Sequence, residues 1–373
     1  MNKRVLILLL VDTDTPNYQF FEKALYDDFT YKERYPSWPE IRRYFEHVDR
    51  LEGIRQHFDF NKNVESAHFD ENKGKWLVEC ADGSTTVCRW FFPCLGFASK
   101  KYIPRIPGLG NFKGEMHHTG AWPQHGLYMK GKRVAIIGTG ATGIQCAQEI
   151  GDEVKHLTIY QRTANMTLPM NQYKLDPAEE RKKKDEGWYD AEYEKCKHTF
   201  TGLPYDFLPK GTFDDSPEER YKQFYDLMVT QGGFRFWLGT YKDTLFVQEA
   251  NDEAYKFWRD ETRKRIKDPK KQMILCPDEP PHPIGTKRMS LEQSFYEIVD
   301  QDHVDVIDIS KSKIVRFEED GIVTEDEGLI QHDIIILATG FDGVSGSLGQ
   351  LNICDTKGET IKGLDTFIRP IEL

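Results

Sequence analysis

The residues best suited to chemistry begin at a glycine turn. The run Arg133-Val134-Ala135-Ile136-Ile137 is apolar enough for a buried strand, and Gly138-Thr139-Gly140-Ala141-Thr142-Gly143-Ile144-Gln145 follows it directly. Strand, Gly-x-Gly-x-x-Gly and helix in that order have a physical use. Gly138 permits the tight turn, Gly140 lets a pyrophosphate approach the backbone, and Gly143 lets helix and strand pack closely, so that free amides at the helix N-terminus face the phosphates. A turn that merely closes a helix against a sheet is the plainer reading, but the strand before and the helix after point to a dinucleotide. The next strand, Leu157-Thr158-Ile159-Tyr160, ends in Gln161-Arg162-Thr163. A carboxylate there would hold the ribose 2′-hydroxyl of NADH. A guanidinium and a hydroxyl suit a 2′-phosphate instead, so NADPH is expected.

Other stretches are ambiguous as residues. Phe112-Lys113-Gly114-Glu115-Met116-His117-His118-Thr119-Gly120-Ala121-Trp122-Pro123 fits neither a helical nor an alternating period, so a loop is expected although it carries Phe, Trp and two His. Read alone it is an aromatic-anchored linker. A metal site is not expected, because the adjacent His117 and His118 side chains point apart and no third ligand is evident. Lys287-Arg288 reads as a solvated basic dipeptide, and Asp12-Thr13-Asp14-Thr15-Pro16 as a turn.

The scaffold must hold these residues within a chain of 373, room for two domains or for three if one is an insertion. With 29 Gly, 18 Pro and 39% hydrophobic residues it has the makings of an ordinary core. Fifty basic against 61 acidic residues give a formal charge of -11, which argues against nucleic acid and other polyanions but allows one local phosphate site. The seven cysteines are scattered and include no Cys-x-x-Cys, so neither a disulfide framework nor a zinc cluster is indicated and a reducing, cytoplasmic setting is the default. Lys3-Arg4 precede an apolar run from Val5 to Val11 that reads as a buried strand. Acidic residues and Pro16 follow it rather than a cleavage site, so a signal peptide is the poorer reading. No stretch approaches the roughly 20 apolar residues of a membrane span.

Residues 39–48 place Ile41, Tyr44, Phe45 and Val48 at helical spacing behind Pro39, which predicts an amphipathic helix. Residues 64–69, 75–80 and 85–92 read as an antiparallel meander with a turn at Asp82-Gly83. Pro- and Gly-rich passages at 102–110 and 277–285 read as crossings. Between them, residues 171–283 are charged and aromatic, with a capped start at Ser216-Pro217-Glu218-Glu219 and helical periodicity over 219–229 and 252–266. The expected fold is α/β. A Rossmann-like NADP domain (125–170 and 284–337) carries a helical insertion (171–283), and a linker (101–124) joins it to residues 1–100 and 338–373.

Phe112, Gly114, His118, Trp122 and Pro123 meet every fixed position of Phe-x-Gly-x-x-x-His-x-x-x-Trp-Pro just before a Rossmann turn, and this resembles the fingerprint of flavin-dependent Baeyer–Villiger monooxygenases. The resemblance runs from Asp12 to Ala338-Thr339-Gly340-Phe341-Asp342 and is nearest to fungal members that oxidise polycyclic ketones. It implies FAD, NADPH and O2 acting on a ketone to give an ester or lactone, with residues 1–100 and 338–373 as a partial FAD domain of the two-dinucleotide-domain type. A flavin-borne peroxide must be kept anionic, so a fixed cation beside it is the chemical requirement. By resemblance that cation is Arg288, Asp12 orients it, Tyr18 and Val64 contact FAD, and Lys287 reaches the NADP 2′-phosphate together with Arg162 and Thr163. Adjacent side chains on an extended segment face opposite ways, which would let Lys287 and Arg288 serve two cofactors. His118 is implied to couple the movements of the two nucleotide domains.

The chain departs from that pattern. It contains one glycine fingerprint where the family has two, and it lacks the Gly- and Trp-containing residues that lead up to the aspartate matched by Asp12. Two alternatives therefore stand beside ketone oxidation. One is a non-catalytic remnant that binds NADPH or a partner chain, read as truncated at both ends; the other is a flavin monooxygenase oxidising nitrogen or sulfur.

Overall fold

The computed structural model describes residues 11–343, 346–356 and 358–360, so most of the apolar run expected as a first strand lies outside the described residues. Two compact units divide the chain. The larger holds residues 11–53, 105–117 and 122–338, and the smaller holds 54–104, 118–121 and the described residues from 339 onward.

The larger unit is built on a five-stranded sheet in the order Glu115–His118, Ile334–Leu337, Arg133–Ile137, His156–Gln161, Val304–Asp308. The last four strands run parallel, with Ile336 opposite Ile136 and Ile136 opposite Ile159. The near-continuous burial of Ile334–Leu337, Arg133–Ile137 and His156–Gln161 follows from being covered on both faces. Alternation then assigns the faces. Val134, Ile136, Leu157, Ile159, Ile334 and Ile336 join one core cluster, while Ala135, Ile137, Tyr160, Ile335 and Leu337 join another. On the second face lie Phe112 and the meander Ile314–Glu318, Gly321–Thr324, Gly328–Gln331 through Phe317 and Ile322. The helical residues pack on the first face. Phe224, Phe236, Tyr241, Phe257 and Trp258 share its cluster, and Trp258 Nε1 donates to Thr167 O at 2.7 Å, so the segment between the two crossings is one wall of the sheet's own core.

Ser216 forms a capping box with Glu219 ahead of the helix Pro217–Tyr225, which runs into a π-helical turn, Asp226–Gln231, before Gly232-Gly233. The second periodic stretch forms Gln248–Arg263. In the smaller unit Val64–Asp70, Lys75–Cys80 and Thr85–Cys88 form the expected antiparallel meander, and Asn352–Cys354 pairs parallel with the first of them. Ala67, Val78, Leu351 and Ile353 are its core.

Three expectations are corrected. The strand expected over 85–92 stops at Cys88, because Trp90 and Phe92 stand in solvent, 68% and 76% exposed, and have no face to cover. The helix over 39–48 extends to Trp38–Glu52 and buries Tyr44, His47 and Val48, leaving Phe45 half exposed. The twelve-residue stretch 112–123 is not wholly a loop, since Glu115–His118 is the edge strand of the parallel sheet and Thr119–Ala121 a 3-10 turn. An edge strand of four residues is too short to show a period.

Residues 11–53 group with the sheet and not with 54–100, and Arg34 shows why. Its buried guanidinium pairs with Asp14 and donates to the carbonyls of Met170, Asn171 and Gln231 at 3.4, 3.3 and 3.0 Å. Burial works to raise the Asp14 pKa, but the hydrogen bond and charge of Arg34, helped by Arg235 and Tyr205, hold it below its ordinary 3.8. Removing one member of a buried pair strands the other, so Arg34→Met is expected to lower the unfolding free energy in urea by about 3–5 kcal/mol. A loss under about 1 kcal/mol would show the pair to be dispensable. A depressed carboxylate stabilises above its unfolded pKa and loses that contribution as pH falls through the folded one. Asp14→Asn is therefore expected to flatten part of the stability loss below about pH 4.

Candidate active site

Asp12 sits on a loop that backbone bonds fix at both ends. Val11 N–H donates to Pro36 O at 3.2 Å and Thr15 N–H to Arg34 O at 3.0 Å, with buried Thr13 between the two aspartates. Asp14 is taken up by Arg34 and by the Tyr205 hydroxyl, and Arg235 Nη1 stands 3.5 Å from it. Asp12 has different partners. Its Oδ1 accepts from the Tyr18 hydroxyl at 3.0 Å and from Arg288 Nη2 at 2.6 Å. Burial first, then the Asp12 charge, push the Tyr18 phenol above its ordinary range, so it stays a donor.

Arg288 spans 276 positions to reach Asp12 and leaves 59% of its side chain exposed. An ion pair so accessible contributes about 0–1 kcal/mol to stability, so its consequence is orientation. One face of the guanidinium lies over the Phe234 ring, 5.5 Å from its centroid. The remaining N–H groups are left to meet something else. The chain leading to Arg288 is pinned at Ile284, whose N–H donates to buried Asn251 Oδ1 at 2.8 Å and whose carbonyl accepts from Asn251 Nδ2 at 3.0 Å. Gly285 follows with φ +90, and a Cβ there would come 2.8 Å from Leu245 Cδ2. Lys287 lies in a bend rather than in an extended strand; it is exposed and has no ion-pair partner among the described residues.

The glycine turn has the three distinct glycines the pattern implies. Gly138 has φ +107, Gly140 caps the helix Ala141–Ile150 with open space where a Cβ would stand, and a Cβ on Gly143 would lie 2.1 Å from Gly138 O. The open position is where a ligand's phosphates can reach backbone, and the closed one is where the helix meets the strand. Exposed Ala141 and partly exposed Thr142 form the helix's first turn, while Ile144 and Gln145 are buried behind them. Thr139 Oγ1 donates to Thr163 O at 3.4 Å, tying the turn to the loop that presents exposed Arg162. These residues fit a dinucleotide with a 2′-phosphate. For a flavin the fit is partial: Asp12, Tyr18, Arg288 and Phe234 give polar and aromatic groups, but the described residues form no second glycine cradle.

The fingerprint residues divide between the units. Phe112 and Gly114 belong to the larger one, where a Cβ on Gly114 would strike the Phe112 ring at 2.4 Å and Asp333 O at 2.6 Å. His118 belongs to the smaller; it is buried, its Nδ1 accepts from Gly120 N–H at 3.0 Å, its ring meets Phe341 edge-on, and burial lowers its pKa. Trp122 and Pro123 return to the larger unit, with Trp122 half-buried against the main core. Val64 opens a strand of the smaller unit and is half-buried. Residue reasoning missed Phe234, Arg34, Asn251 and the Asp14 cluster. The doublet Gly232-Gly233 ahead of Phe234, at φ +66 and +64, was the one local signal.

Residues 18–174 match the family described as flavin-binding monooxygenase-like. The chain is 41% identical over 352 residues to a cyclopentanone 1,2-monooxygenase of Comamonas sp. (strain NCIMB 9872), covering 94% of this chain and 63% of that protein. It is 39% identical to the FAD-binding monooxygenase acrE of Aspergillus aculeatus, covering 94% of this chain and 59% of that one. The chain thus spans less than two thirds of the length of these relatives. Among solved structures, cyclohexanone monooxygenase from Rhodococcus sp. Phi1 bound to NADP+ superimposes with a TM-score of 0.90 at 32% identity, over 98% of this chain and 67% of that chain.

The two helix-side glycines have opposite expected sensitivities. Gly143→Ala must push the helix off the strand and is expected to lower stability by about 1–3 kcal/mol in urea. Gly140→Ala is expected to stay within about 0.5 kcal/mol of the native protein while weakening dinucleotide binding measured by calorimetry. Equal stability of the two variants would contradict this division of roles.

Proposed function

The chain belongs to the flavin-binding monooxygenase-like family, among its Baeyer–Villiger members, and from that premise we propose that it acts in an FAD- and NADPH-dependent oxidation that places one oxygen atom of O2 beside a ketone carbonyl. The observation that carries the reading is the Asp12–Arg288 contact at 2.6 Å, with Tyr18 on the same carboxylate oxygen and Phe234 beneath the guanidinium. A bulky polycyclic ketone of terpenoid or polyketide type is the proposed substrate class, supported by the identity to a fungal FAD-binding monooxygenase. A cytoplasmic setting belongs to the same proposal, supported by seven cysteines that are all free thiols. No described helix is long and apolar enough to cross a membrane.

In this proposal the glycine turn, Arg162, Thr163 and Lys287 hold NADPH, and Asp12 and Tyr18 face FAD. FAD, when bound, supplies the activation of O2 with electrons taken from NADPH. Arg288 offers a fixed positive charge where negative charge develops on oxygen. Asp12 occupies one Nη2 hydrogen and so aims the others, while Tyr18, kept protonated, donates to the same oxygen and stops the carboxylate from swinging away. Phe234 keeps water from one guanidinium face and favours the cation by cation–π attraction. The identity to ketone oxidisers favours this reading over nitrogen or sulfur oxidation.

Two measurements test it. The purified chain supplied with FAD, NADPH and cyclopentanone is expected to consume NADPH faster with the ketone than without it and to yield lactone. Arg288→Ala is expected to retain NADPH binding and lose the lactone. A colourless protein that binds NADPH but never oxidises the ketone would overturn the reading in favour of a non-catalytic NADPH binder. Arg162→Ala with Lys287→Ala is expected to weaken NADPH by about tenfold to a hundredfold, the worth of one charge-assisted hydrogen bond, and NADH hardly at all. Equal losses for both nucleotides would remove the 2′-phosphate role.

A further inference from the structure

Asn165 stands three residues beyond Arg162 and joins two segments that the sequence keeps far apart. Its Nδ2 donates to Thr139 O at 2.8 Å and to Ser290 Oγ at 2.8 Å, which commits both hydrogens of the amide. Thr139 lies inside the glycine turn. Ser290 is buried, opens the short strand Ser290–Glu292 opposite Thr167, and comes two residues after Arg288. With Ile284 held by Asn251, the stretch that carries Lys287 and Arg288 is anchored by an asparagine at each end.

The bond to Thr139 bears directly on the nucleotide. Thr139 C=O and Gly140 N–H belong to one rigid trans peptide, so the carbonyl and the N–H point in opposite directions. An amide that holds the carbonyl therefore also fixes the direction of the Gly140 N–H, on a residue whose Cβ position is open space. An anion bound to that N–H polarises the peptide and strengthens the carbonyl as an acceptor. The other hydrogen of Asn165 passes the constraint to Ser290.

We propose that Asn165 is a positioning residue that couples nucleotide occupancy of the glycine turn to the order of the Arg288 segment, through its two bonds to Thr139 O and Ser290 Oγ. The inference rests on the dinucleotide reading of the turn. It assigns the coupling to a neutral amide away from the reacting groups, and it requires no contact between Lys287 and the nucleotide.

Hydrogen exchange on the chain, with and without NADP+, tests it and needs no flavin. NADP+ is expected to slow exchange at amides 139–145 and, by about fivefold or more, at amides 285–291. Ser290→Ala, which leaves the bond to Thr139 in place, is expected to keep the protection at 139–145 and lose it at 285–291. Asn165→Leu, of similar size without either donor, is expected to lose the distant protection and bind NADP+ about tenfold more weakly. Protection of 285–291 that survives Ser290→Ala or Asn165→Leu would overturn the coupling while leaving the dinucleotide site intact. Absence of protection at 139–145 in the native chain would overturn the site and the coupling together.

Discussion

One carboxylate oxygen, Asp12 Oδ1, receives both the Tyr18 hydroxyl and the Arg288 guanidinium. The pair is too exposed to stabilise the fold appreciably, so the fold must bring the partners together by other means. It does so with buried contacts on each side. Asp14, two residues on, is locked by Arg34, Tyr205 and Arg235, and Arg235 adjoins the Phe234 that lies under Arg288. The same buried cluster thus steadies the loop bearing the carboxylate and the ring beneath the cation. Stability is concentrated behind the site, and the exposed Arg288 guanidinium keeps N–H groups beyond the one given to Asp12.

That arrangement depends on how the helical segment is used. Had it formed a separate body, Phe234 and Asn251 would have had no fixed relation to the parallel sheet. Instead Phe224, Phe236, Phe257 and Trp258 share a core with Val134, Ile136 and Ile159. The π-helical turn ends at Gln231, whose carbonyl accepts from Arg34, and the glycine doublet behind it swings the chain to Phe234. A Cβ on Gly233 would fall 2.3 Å from the Tyr35 hydroxyl, so the doublet is a close-approach requirement as well as a conformational one.

What was legible in the sequence was local. The glycine turn declared itself because strand, turn and helix follow one another directly from Arg133 to Ile150, and the helix Trp38–Glu52 and the meander of the smaller unit did so through their periods. Residue types alone left Asp12 a turn former and Arg288 half of a basic dipeptide; only the family resemblance set them side by side. Contacts such as Arg34 with Gln231, or Asn165 with Ser290, join residues 197 and 125 positions apart and leave no periodic trace. The edge strand Glu115–His118 was hidden for another reason, since its length permits no pattern. Exposed Phe45 shows the converse limit: an apolar residue at helical spacing need not be buried when the surface it faces is solvent.

The sharing of the Asp12 carboxylate is open to direct measurement by titrating the Tyr18 phenol with carbon-13-labelled tyrosine, its signal assigned through Tyr18→Phe. In the native chain Tyr18 is expected to ionise above its ordinary value of 10.0, and Asp12→Asn is expected to bring that ionisation down, because the adjacent charge is gone while the burial remains. A Tyr18 titration that is the same in the native chain and in Asp12→Asn would contradict the central role given to Asp12.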